Sequence, residues 1–411
     1  MSATPTPNRH TISINTISNL NANLNALAAI YIMVAWIRLN HTVIIGYWIF
    51  FVTAAADIIL NRKYRDLKWS NDKLIYITMI AFFAIIPLWQ LAINPDFTDR
   101  FFIKEAENHL PFLGIGVIGL FGLNSRIKLI HVGFAMVAAA NLVELYILYK
   151  AGFDNIIYSE NRFQLIEAAR NKYVNSHMVV NMYFNTAFLF AIYLLSRSRI
   201  SYKVKILLLI FTVPIIGQLL ISDGRTGFAT TILLIGCVIV YMLWRLNHRI
   251  VWISLPIITA ISILILLQHP RIENVSDDPR FYIWDLGIQM FCDRPMGYGA
   301  IDGHRTYVES FFAQCPHDWF YVQYPTKTDI YLMHPHNVFL ESSINYGVIG
   351  LVVSLAVYLL PLFISEVRRK PFIYCFFLIM FGQCCFDVYN SFPSIAYALG
   401  IIIWLQGKWT K

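Results

Sequence analysis

The chain has 411 residues, of which 57% are hydrophobic and 14% are charged, with a mean hydropathy of +0.56. About a quarter of the residues of a soluble domain are charged, so this composition excludes a soluble enzyme and indicates a polytopic membrane protein. The net charge of +8 lies mainly in short connections between apolar runs, which is typical of membrane topology and excludes a nucleic-acid-binding surface.

About twelve apolar runs follow one another, and they predict the spans of an all-α protein that forms one integral membrane domain over residues 1–411. A polar tail without a cleavage site precedes the first run, so we expect an uncleaved first span. A helix needs roughly 20 apolar residues to cross a bilayer. The first, fourth and last runs are shorter, so the number of spans could differ by two. The predicted spans are 24–37, 42–60, 74–93, 110–123, 127–149, 178–195, 206–221, 227–244, 250–267, 338–363, 372–388 and 395–405.

Basic residues cluster in every second connection, where acids are few. The positive-inside rule assigns these connections and both chain ends to the cytoplasm. The remaining loops are then extracytoplasmic: residues 94–109, 150–177 and a large loop, 268–337, between the ninth and tenth spans. The basic clusters are Arg62/Lys63/Arg65/Lys68/Lys73, Arg126/Lys128, Arg197/Arg199/Lys203/Lys205, Arg245/Arg249 and Arg368/Arg369/Lys370.

Two local patterns bear on chemistry and on packing. Cys292 and Cys315 both fall in the large outer loop, in an oxidising compartment, where either a disulfide or two free thiols are expected. The string GIGVIG, residues 114–119, matches the dinucleotide-binding fingerprint by its letters only. Because it lies inside a span with no preceding strand, it predicts close helix packing through small residues.

The first candidate site residue is Arg225, in the stretch SDGRT that alone joins two spans at the outer boundary of the bilayer. A planar guanidinium suits phosphate oxygens better than a lysine ammonium does. Arg225 is therefore a candidate phosphate-binding residue. The alternative is a structural arginine that pairs with Asp223 or extends to the interface.

The second candidate is Arg280, in the large outer loop. Asp278 followed by Pro279 predicts a helix N-cap with proline at the first helical position. Arg280 then lies in the first turn, where a cation opposes the helix dipole, so an anionic ligand explains it better than helix stability does. A surface ion pair with Asp277 or Asp278 is the alternative. Four residues give this helix the apolar face of a membrane-surface helix: Phe281, Trp284, Ile288 and Phe291.

The third candidate is the stretch HPHN, in which Pro335 separates His334 from His336 and Asn337 is predicted to cap the next span. A histidine with an ordinary pKa of about 6.5 accepts a proton at neutral pH, and general-base help is typically worth about 10²–10⁴ in rate. Glu341 lies one turn further on the same helix face. A purely structural cap is one alternative. A metal site is another, although no spacing matches a known ligand pattern; it would use His304, His317, His334, His336, Asp302 and Asp318.

Three acids lie in or near the predicted spans, where an unpaired carboxylate is costly. Asp387, near the outer end of the eleventh span, is expected to orient a histidine or to pair with an arginine. For Asp57 and Glu144 the sequence identifies no partner.

Taken in order, these features resemble the O-antigen ligase family and its relatives, the O-antigen polymerases and bacterial O-oligosaccharyltransferases. The matching stretches are SDGRTG, RFYIWDLGIQMFCDRPMGYG and HNVFLESSINYGVIGL. The resemblance covers residues 178 to 411 by motifs and the first half by hydropathy. The chain departs from the family pattern in Gly224, directly before Arg225, and in the additional His334.

The resemblance implies a GT-C-like glycosyltransferase of the bacterial inner membrane that acts on the periplasmic side without a metal or another cofactor. Its donor would be a glycan on undecaprenyl pyrophosphate and its acceptor lipid A–core; its other partners would be membrane lipids. Arg225 and Arg280 would stabilise the pyrophosphate leaving group, and His336 would take the acceptor proton. Four further residues would orient the histidine or bind sugar: Asn337, His334, Glu341 and Asp387.

Two alternatives remain open at the level of sequence. An O-antigen polymerase would use the same donor but join it to another lipid-linked glycan. A non-enzymatic polysaccharide transporter or flippase would carry charges and broken helices near the middle of its spans. The distinctive cations gather instead on one face beside a large outer loop, which favours chemistry at a surface over transport. Between the two enzymes we expect the ligase, but the sequence separates them poorly.

Overall fold

The computed structural model describes residues 14–37, 41–61, 63, 69–93, 95–122, 126–221, 225–267, 279–314, 335–364, 371–386 and 391–407. These residues form sixteen helices, and seven of them are long and apolar enough to cross a membrane. The prediction of an all-α polytopic membrane protein is therefore confirmed. In chain order the helices are α1 (Ile14–Ala35), α2 (His41–Leu60), α3 (Lys73–Ile93), α4 (Arg100–Phe121), α5 (Leu129–Ala151), α6 (Phe153–Tyr158), α7 (Arg162–Tyr173), α8 (His177–Leu195), α9 (Tyr202–Ile221), α10 (Arg225–Leu246), α11 (His248–Leu267), α12 (Pro279–Asp293), α13 (Ala300–Gln314), α14 (Val338–Phe363), α15 (Pro371–Phe386) and α16 (Ser391–Gln406).

Each predicted span overlaps one of these helices, but α1 and α4 begin about ten residues before the predicted spans. In α1 the polar half continues as helix because its asparagines bond to α2. Asn21 Nδ2 donates to the Thr53 carbonyl oxygen at 2.7 Å, and Asn25 Nδ2 donates to the Phe50 carbonyl oxygen at 2.9 Å. Buried amides that find acceptors on a neighbouring helix are tolerated in a membrane bundle, so hydropathy alone places the start of α1 too late.

Helix α8 lies at the centre of the bundle, in contact with α5, α7, α9, α10 and α15. Its side chains are buried on all faces from Val179 to Leu194 except at Ile192. A helix that is enclosed on all sides in this way is a core element and not a lipid-facing one. Helix α8 therefore gives the neighbouring helices a fixed support.

The glycines of the GIGVIG string mediate close helix packing, as predicted. A Cβ added to Gly116 would lie 2.9 Å from the carbonyl oxygen of Tyr76 on α3, and one added to Gly114 would lie 3.2 Å from the ring of Phe51 on α2. Gly119 also abuts the ring of Tyr76. Helix α4 therefore approaches α2 and α3 through small residues.

Both embedded acids without a predicted partner lie near cations. Lys63 Nζ lies 2.6 Å from Asp57 Oδ2 and also donates to the carbonyl oxygen of Gly122 at 2.9 Å. This ion pair ties the end of α2 to the end of α4. The end of the bundle where α2 and α4 finish and α5 begins is called the basic end below. Glu144, on α5, interacts electrostatically with Arg170, a buried arginine of α7.

The large outer loop contains two helices, α12 and α13, which pack with the start of α14 around a small core of their own. We call α12, α13 and residues 335–346 the outer unit. The core is formed by a helix face other than the predicted one, while Phe281 and Ile288 on the predicted apolar face remain exposed. Helix α12 is therefore apolar on two sides, one packed inside the protein and one available to the membrane surface. The residues of the small core are Ile283, Leu286, Met290, Tyr307, Phe311 and Ile344.

Candidate active site

Asn337 caps α14, as its position in the sequence predicts. Its backbone is extended, with φ −159° and ψ 115°, and its Oδ1 accepts from the backbone N–H groups of Phe339 and Leu340, both at 3.0 Å. Its Nδ2 donates to the carbonyl oxygen of Cys385 at 3.1 Å. Asn337 therefore satisfies two N–H groups that the helix start leaves unpaired and ties the beginning of α14 to the end of α15.

His336 has a left-handed backbone, with φ 49°, and it is the one non-glycine residue with positive φ among those described. This conformation costs an L-residue of order 1–3 kcal/mol and is often found at functional sites. The neighbours hold His336 in place, since Pro335 is buried before it and Asn337 begins the cap after it. The side chain of His336 is half-buried.

Helix α12 is fixed against this segment by two contacts on one face. Trp284 Nε1 donates to the carbonyl oxygen of Pro335 at 3.1 Å. A Cβ added to Gly287 would lie 2.6 Å from Leu340 Cδ2, so that face of α12 lies directly on the first turn of α14. Arg280 precedes Trp284 by four residues and therefore lies on the same helix face. The structure thus brings Arg280, which is half-buried, to the segment that contains His336.

Arg225 is the first residue of α10, and only three residues separate it from the end of α9, so the predicted short connection is confirmed. The start of α10 is fixed on α8 by a polar contact: Asn185 Nδ2 donates to the carbonyl oxygen of Gly227 at 3.1 Å. Thr231 Oγ1 donates to Asn185 Oδ1 at 3.0 Å. The backbone at Arg225 is therefore held by the central helix of the bundle.

Helix α15 links the starts of α10 and α14. A Cβ added to Gly382 would lie 3.3 Å from Thr230 Oγ1, which places the first turns of α10 beside the last turn of α15. The bond from Asn337 to Cys385 places the start of α14 at the same end of α15. Helices α10 and α14 therefore begin beside the same end of α15, and α12 packs on the first turn of α14. Helix N-termini carry partial positive charge. Such an arrangement favours an anionic ligand.

The remaining predicted site residues are described in part. Glu341 lies in the first turn of α14, half-buried, with its backbone N–H donating to the Asn337 carbonyl oxygen at 2.9 Å. His334 and Asp387 lie outside the described residues, as do Asp278 and Cys315. The roles predicted for them, and the choice between a disulfide and free thiols for Cys292, stay predictions.

The metal alternative draws on the same loop. Among the described stretches of the chain, no group of three or more His, Cys, Asp or Glu side chains is close enough to hold a metal ion. His317, Asp318 and His334 lie outside those stretches, and the metal interpretation therefore stays a prediction.

Helix α14 is broken at Gly347, and the sequence analysis missed this feature. Gly347 has φ 62° and ψ −151°, which frees the backbone groups on either side of it. The outer loop pairs them: Tyr298 and Gly299 donate to the carbonyl oxygens of Ile344 and Asn345 at 2.9 and 2.8 Å. The N–H of residue 348 donates to the carbonyl oxygen of residue 295 at 2.9 Å. The Pro-x-Gly-x-Gly stretch thus supplies hydrogen-bond partners for the backbone groups beside the break in α14. Non-helical backbone within a membrane needs such partners from the protein itself.

A second unpredicted feature lies beside this break. Tyr346 is buried, and its hydroxyl donates to Glu105 Oε1 on α4 at 3.3 Å. His109, one turn further along α4, has its Nδ1 2.9 Å from the carbonyl oxygen of Glu105 and 3.8 Å from Glu105 Oε1. The sequence signal was available in ENH, residues 107–109, and Glu105, which interrupt an apolar pattern. The hydropathy reading assigned them to a loop.

Comparison with known families agrees with this geometry. The family model described as O-antigen ligase matches residues 184–355, a stretch that includes Arg225, Arg280 and His336, whereas Asp387 lies beyond its end. Among curated proteins, none matches the chain. The resemblance drawn from the motifs is thereby confirmed, and residues 184–355 of the chain match the O-antigen ligase family.

Proposed function

We propose that this protein is a glycosyltransferase of the bacterial inner membrane that transfers O-antigen polysaccharide from undecaprenyl pyrophosphate to lipid A–core on the periplasmic side. The family match supports a function of O-antigen ligase or polymerase type in general. The finer assignment rests on one observation: α10 and α14 begin beside the same end of α15, α12 packs on the first turn of α14, and an arginine lies in the first turn of both α10 and α12.

This arrangement suits a pyrophosphate leaving group. When the bond between the anomeric carbon and the pyrophosphate oxygen breaks, negative charge develops on that oxygen. In this proposal Arg225, Arg280 and the N-termini of their helices supply positive charge near that oxygen, and such electrostatic stabilisation of a transition state is usually the largest single contribution to catalysis. We propose that these groups do the work of a divalent cation, so that the reaction is independent of metal.

The acceptor needs a base on the other side of the same centre. The acceptor hydroxyl oxygen forms the new bond to the anomeric carbon, and its proton passes to the imidazole of His336. The left-handed backbone at His336 and the bond from Trp284 to Pro335 hold the imidazole segment beside Arg280. Asn337, Glu341, His334 and Asp387 are proposed to orient the histidine or to bind sugar.

The direct test is transfer in vitro, with the purified full chain, a glycan on undecaprenyl pyrophosphate, lipid A–core and EDTA. We expect transfer with EDTA present, and a loss of about 10²–10⁴ in rate for His336→Ala. Transfer that stops with EDTA and returns with zinc would overturn the metal-independent mechanism. Full activity of His336→Ala would overturn the base assignment.

Matched variants distinguish the effect of a positive charge at the candidate site from the effect of a positive charge elsewhere in the large outer loop. Arg280→Gln should abolish most of the activity, and Arg280→Lys should restore only part of it, because lysine lacks the planar fork. Arg294→Gln is the control: Arg294 is exposed in the same loop, with its guanidinium 5.2 Å from the ring centroid of Tyr298. Equal losses for Arg280→Gln and Arg294→Gln would contradict a specific role for Arg280.

A deletion strain distinguishes the ligase from the two rival functions. Loss of a ligase leaves bare core and long lipid-linked polymer, whereas loss of a polymerase leaves core that carries a single repeat unit. The broken helix α14 is a feature shared with transporters, but its break is filled by protein backbone. Purified protein that moves a lipid-linked glycan across vesicles without any transfer would overturn the enzymatic proposal.

A further inference from the structure

We propose that the basic end of the bundle carries a binding site for an anionic phospholipid, between α1 and α5. This inference goes beyond the proposed glycosyl transfer and does not depend on it. The site lies where α4 ends and α5 begins, whereas the candidate active site lies at the opposite ends of these helices, where Glu105 contacts Tyr346.

The site is a cavity of about 660 Å³ lined by cations and an amide at one end and by apolar side chains at the other. Its volume falls in the range of roughly 300–1,000 Å³ that is usual for small-molecule sites. Arg126, Lys128 and His131 come from the start of α5, and Asn23 comes from α1. All four are exposed, so they face the surroundings of the bundle and not its core.

The cations in this cavity have no acidic partner among the described residues. Arg126 donates to Asn23 Oδ1 at 3.2 Å and also to Asn19. These bonds fix the guanidinium against α1 without neutralising its charge. No described carboxylate lies within ion-pair distance of Arg126, Lys128 or His131. A concentration of positive charge that no described carboxylate compensates is complementary to a phosphate.

The depth of the cavity matches a lipid head group. Asn23 directly precedes the apolar half of α1, and Lys128 directly precedes the apolar α5. In both α1 and α5 the sequence therefore changes from polar to apolar at the level of these cations. By the positive-inside rule this level is the cytoplasmic interface of the membrane, where anionic lipids attract basic residues.

Two apolar grooves lead away from the cations along α1. One continues the cavity past Ala26 and Ile30, and the other, of about 400 Å³, lies between α1 and α2 beside Tyr31 and Gly46. Leu27, which is 63% exposed, lines both and forms the ridge between them. A diacyl phospholipid fits this shape, with its phosphate at Arg126 and one acyl chain on each side of the ridge. A soluble phosphate would use only the charged end.

The test uses the purified full chain in a neutral detergent, titrated with dioleoyl phosphatidylglycerol and, separately, with dioleoyl phosphatidylcholine. We expect tighter binding of phosphatidylglycerol. Each cation near an anionic lipid contributes about a fivefold effect, so Lys128→Gln should weaken binding about fivefold and the double variant Arg126→Gln/Lys128→Gln about 30-fold. The Lys128 side chain makes no hydrogen bond or ion pair with a described residue, so Lys128→Gln keeps the test valid even if the double variant folds poorly.

The control is Arg199→Gln/Lys203→Gln, which removes two exposed cations at the same end of the bundle but outside the cavity. This double variant should bind phosphatidylglycerol like the unmodified protein. Equal weakening by the control, equal binding of phosphatidylcholine, or unchanged binding by Lys128→Gln would each overturn the proposal.

Two further arms separate a lipid from a phosphate. Inorganic phosphate and glycerophosphoglycerol should bind far more weakly than the diacyl lipid, because each acyl methylene buried contributes about a fourfold effect. Ala26→Phe, which narrows one groove, should weaken phosphatidylglycerol about tenfold. Binding of inorganic phosphate as tight as that of the lipid, or an Ala26→Phe variant that binds the lipid normally, would overturn the assignment of the grooves to acyl chains.

Discussion

Replacing Gly347 with alanine should displace the loop, residues 295–299, that hydrogen-bonds to the backbone beside the break in α14. At φ 62° and ψ −151° a residue with a Cβ is strained by about 1–3 kcal/mol. The added Cβ would also meet the backbone of the loop, including the Met296 carbonyl carbon at 2.5 Å. Backbone atoms cannot rotate away as the end of a side chain can, so the loop itself must shift.

That shift breaks three hydrogen bonds, two to the carbonyl oxygens of Ile344 and Asn345 and one from the N–H of Val348. Each is worth about 0.5–1.5 kcal/mol net. Together with the backbone strain, the loss in free energy of unfolding is roughly 3–7 kcal/mol.

Unfolding of the purified protein by sodium dodecyl sulfate in mixed micelles measures this loss. Gly217→Ala is the matched control, because Gly217 lies inside α9 with no atom within 4 Å of an added Cβ. Alanine there should raise stability by about 0.5–1 kcal/mol through helix propensity alone. If Gly347→Ala unfolds at the same detergent fraction as the unmodified protein, the loop does not hold the broken helix and the account given for the Pro-x-Gly-x-Gly stretch is wrong.

Three further changes test the contacts around the site. Trp284→Phe keeps an aromatic side chain but removes the indole N–H that donates to the Pro335 carbonyl oxygen, just before His336. The rate of glycan transfer should fall about fivefold. The fold should be retained, which near-normal unfolding in sodium dodecyl sulfate would show. Asn337→Ala should cost about 0.5–2 kcal/mol of unfolding free energy as a lost cap, whereas Asn337→Asp should recover much of it by keeping the acceptor oxygen. Tyr346→Phe should cost about 1–3 kcal/mol, because it removes the hydrogen bond that the buried Tyr346 hydroxyl donates to Glu105; unchanged unfolding would refute that bond.

The arrangement of spans could be predicted from the sequence because long apolar runs have few alternatives in a bilayer. The starts of α1 and α4 could not. Asn21 and Glu105 look like loop residues in a hydropathy profile, yet each lies in a helix because a partner on another helix accepts or donates a hydrogen bond. Such partners are set by tertiary packing, which no local window of sequence contains.

For the candidate site, the sequence predicted which residues take part and their order along the chain, but it did not predict their contacts or backbone conformations. The cap at Asn337 and the proline start of α12 follow from local rules of helix termini and are confirmed. The left-handed backbone of His336 and the break at Gly347 depend on contacts with α12 and with residues 295–299, some fifty positions away in the chain. A single glycine in an apolar helix is usually no more than a weak spot, so the break had no sequence signature of its own.

The break at Gly347 also divides the surroundings of α14. Before the break, Ile344 packs into the small core of α12 and α13, whereas Val338 and Phe339 pack into the main bundle together with the part of α14 that follows the break. The outer unit is therefore anchored to the bundle at Asn337 as well as beside Gly347. Because two attachments leave the outer unit without a single hinge, a bulky polymer would enter a cleft whose walls are already in place.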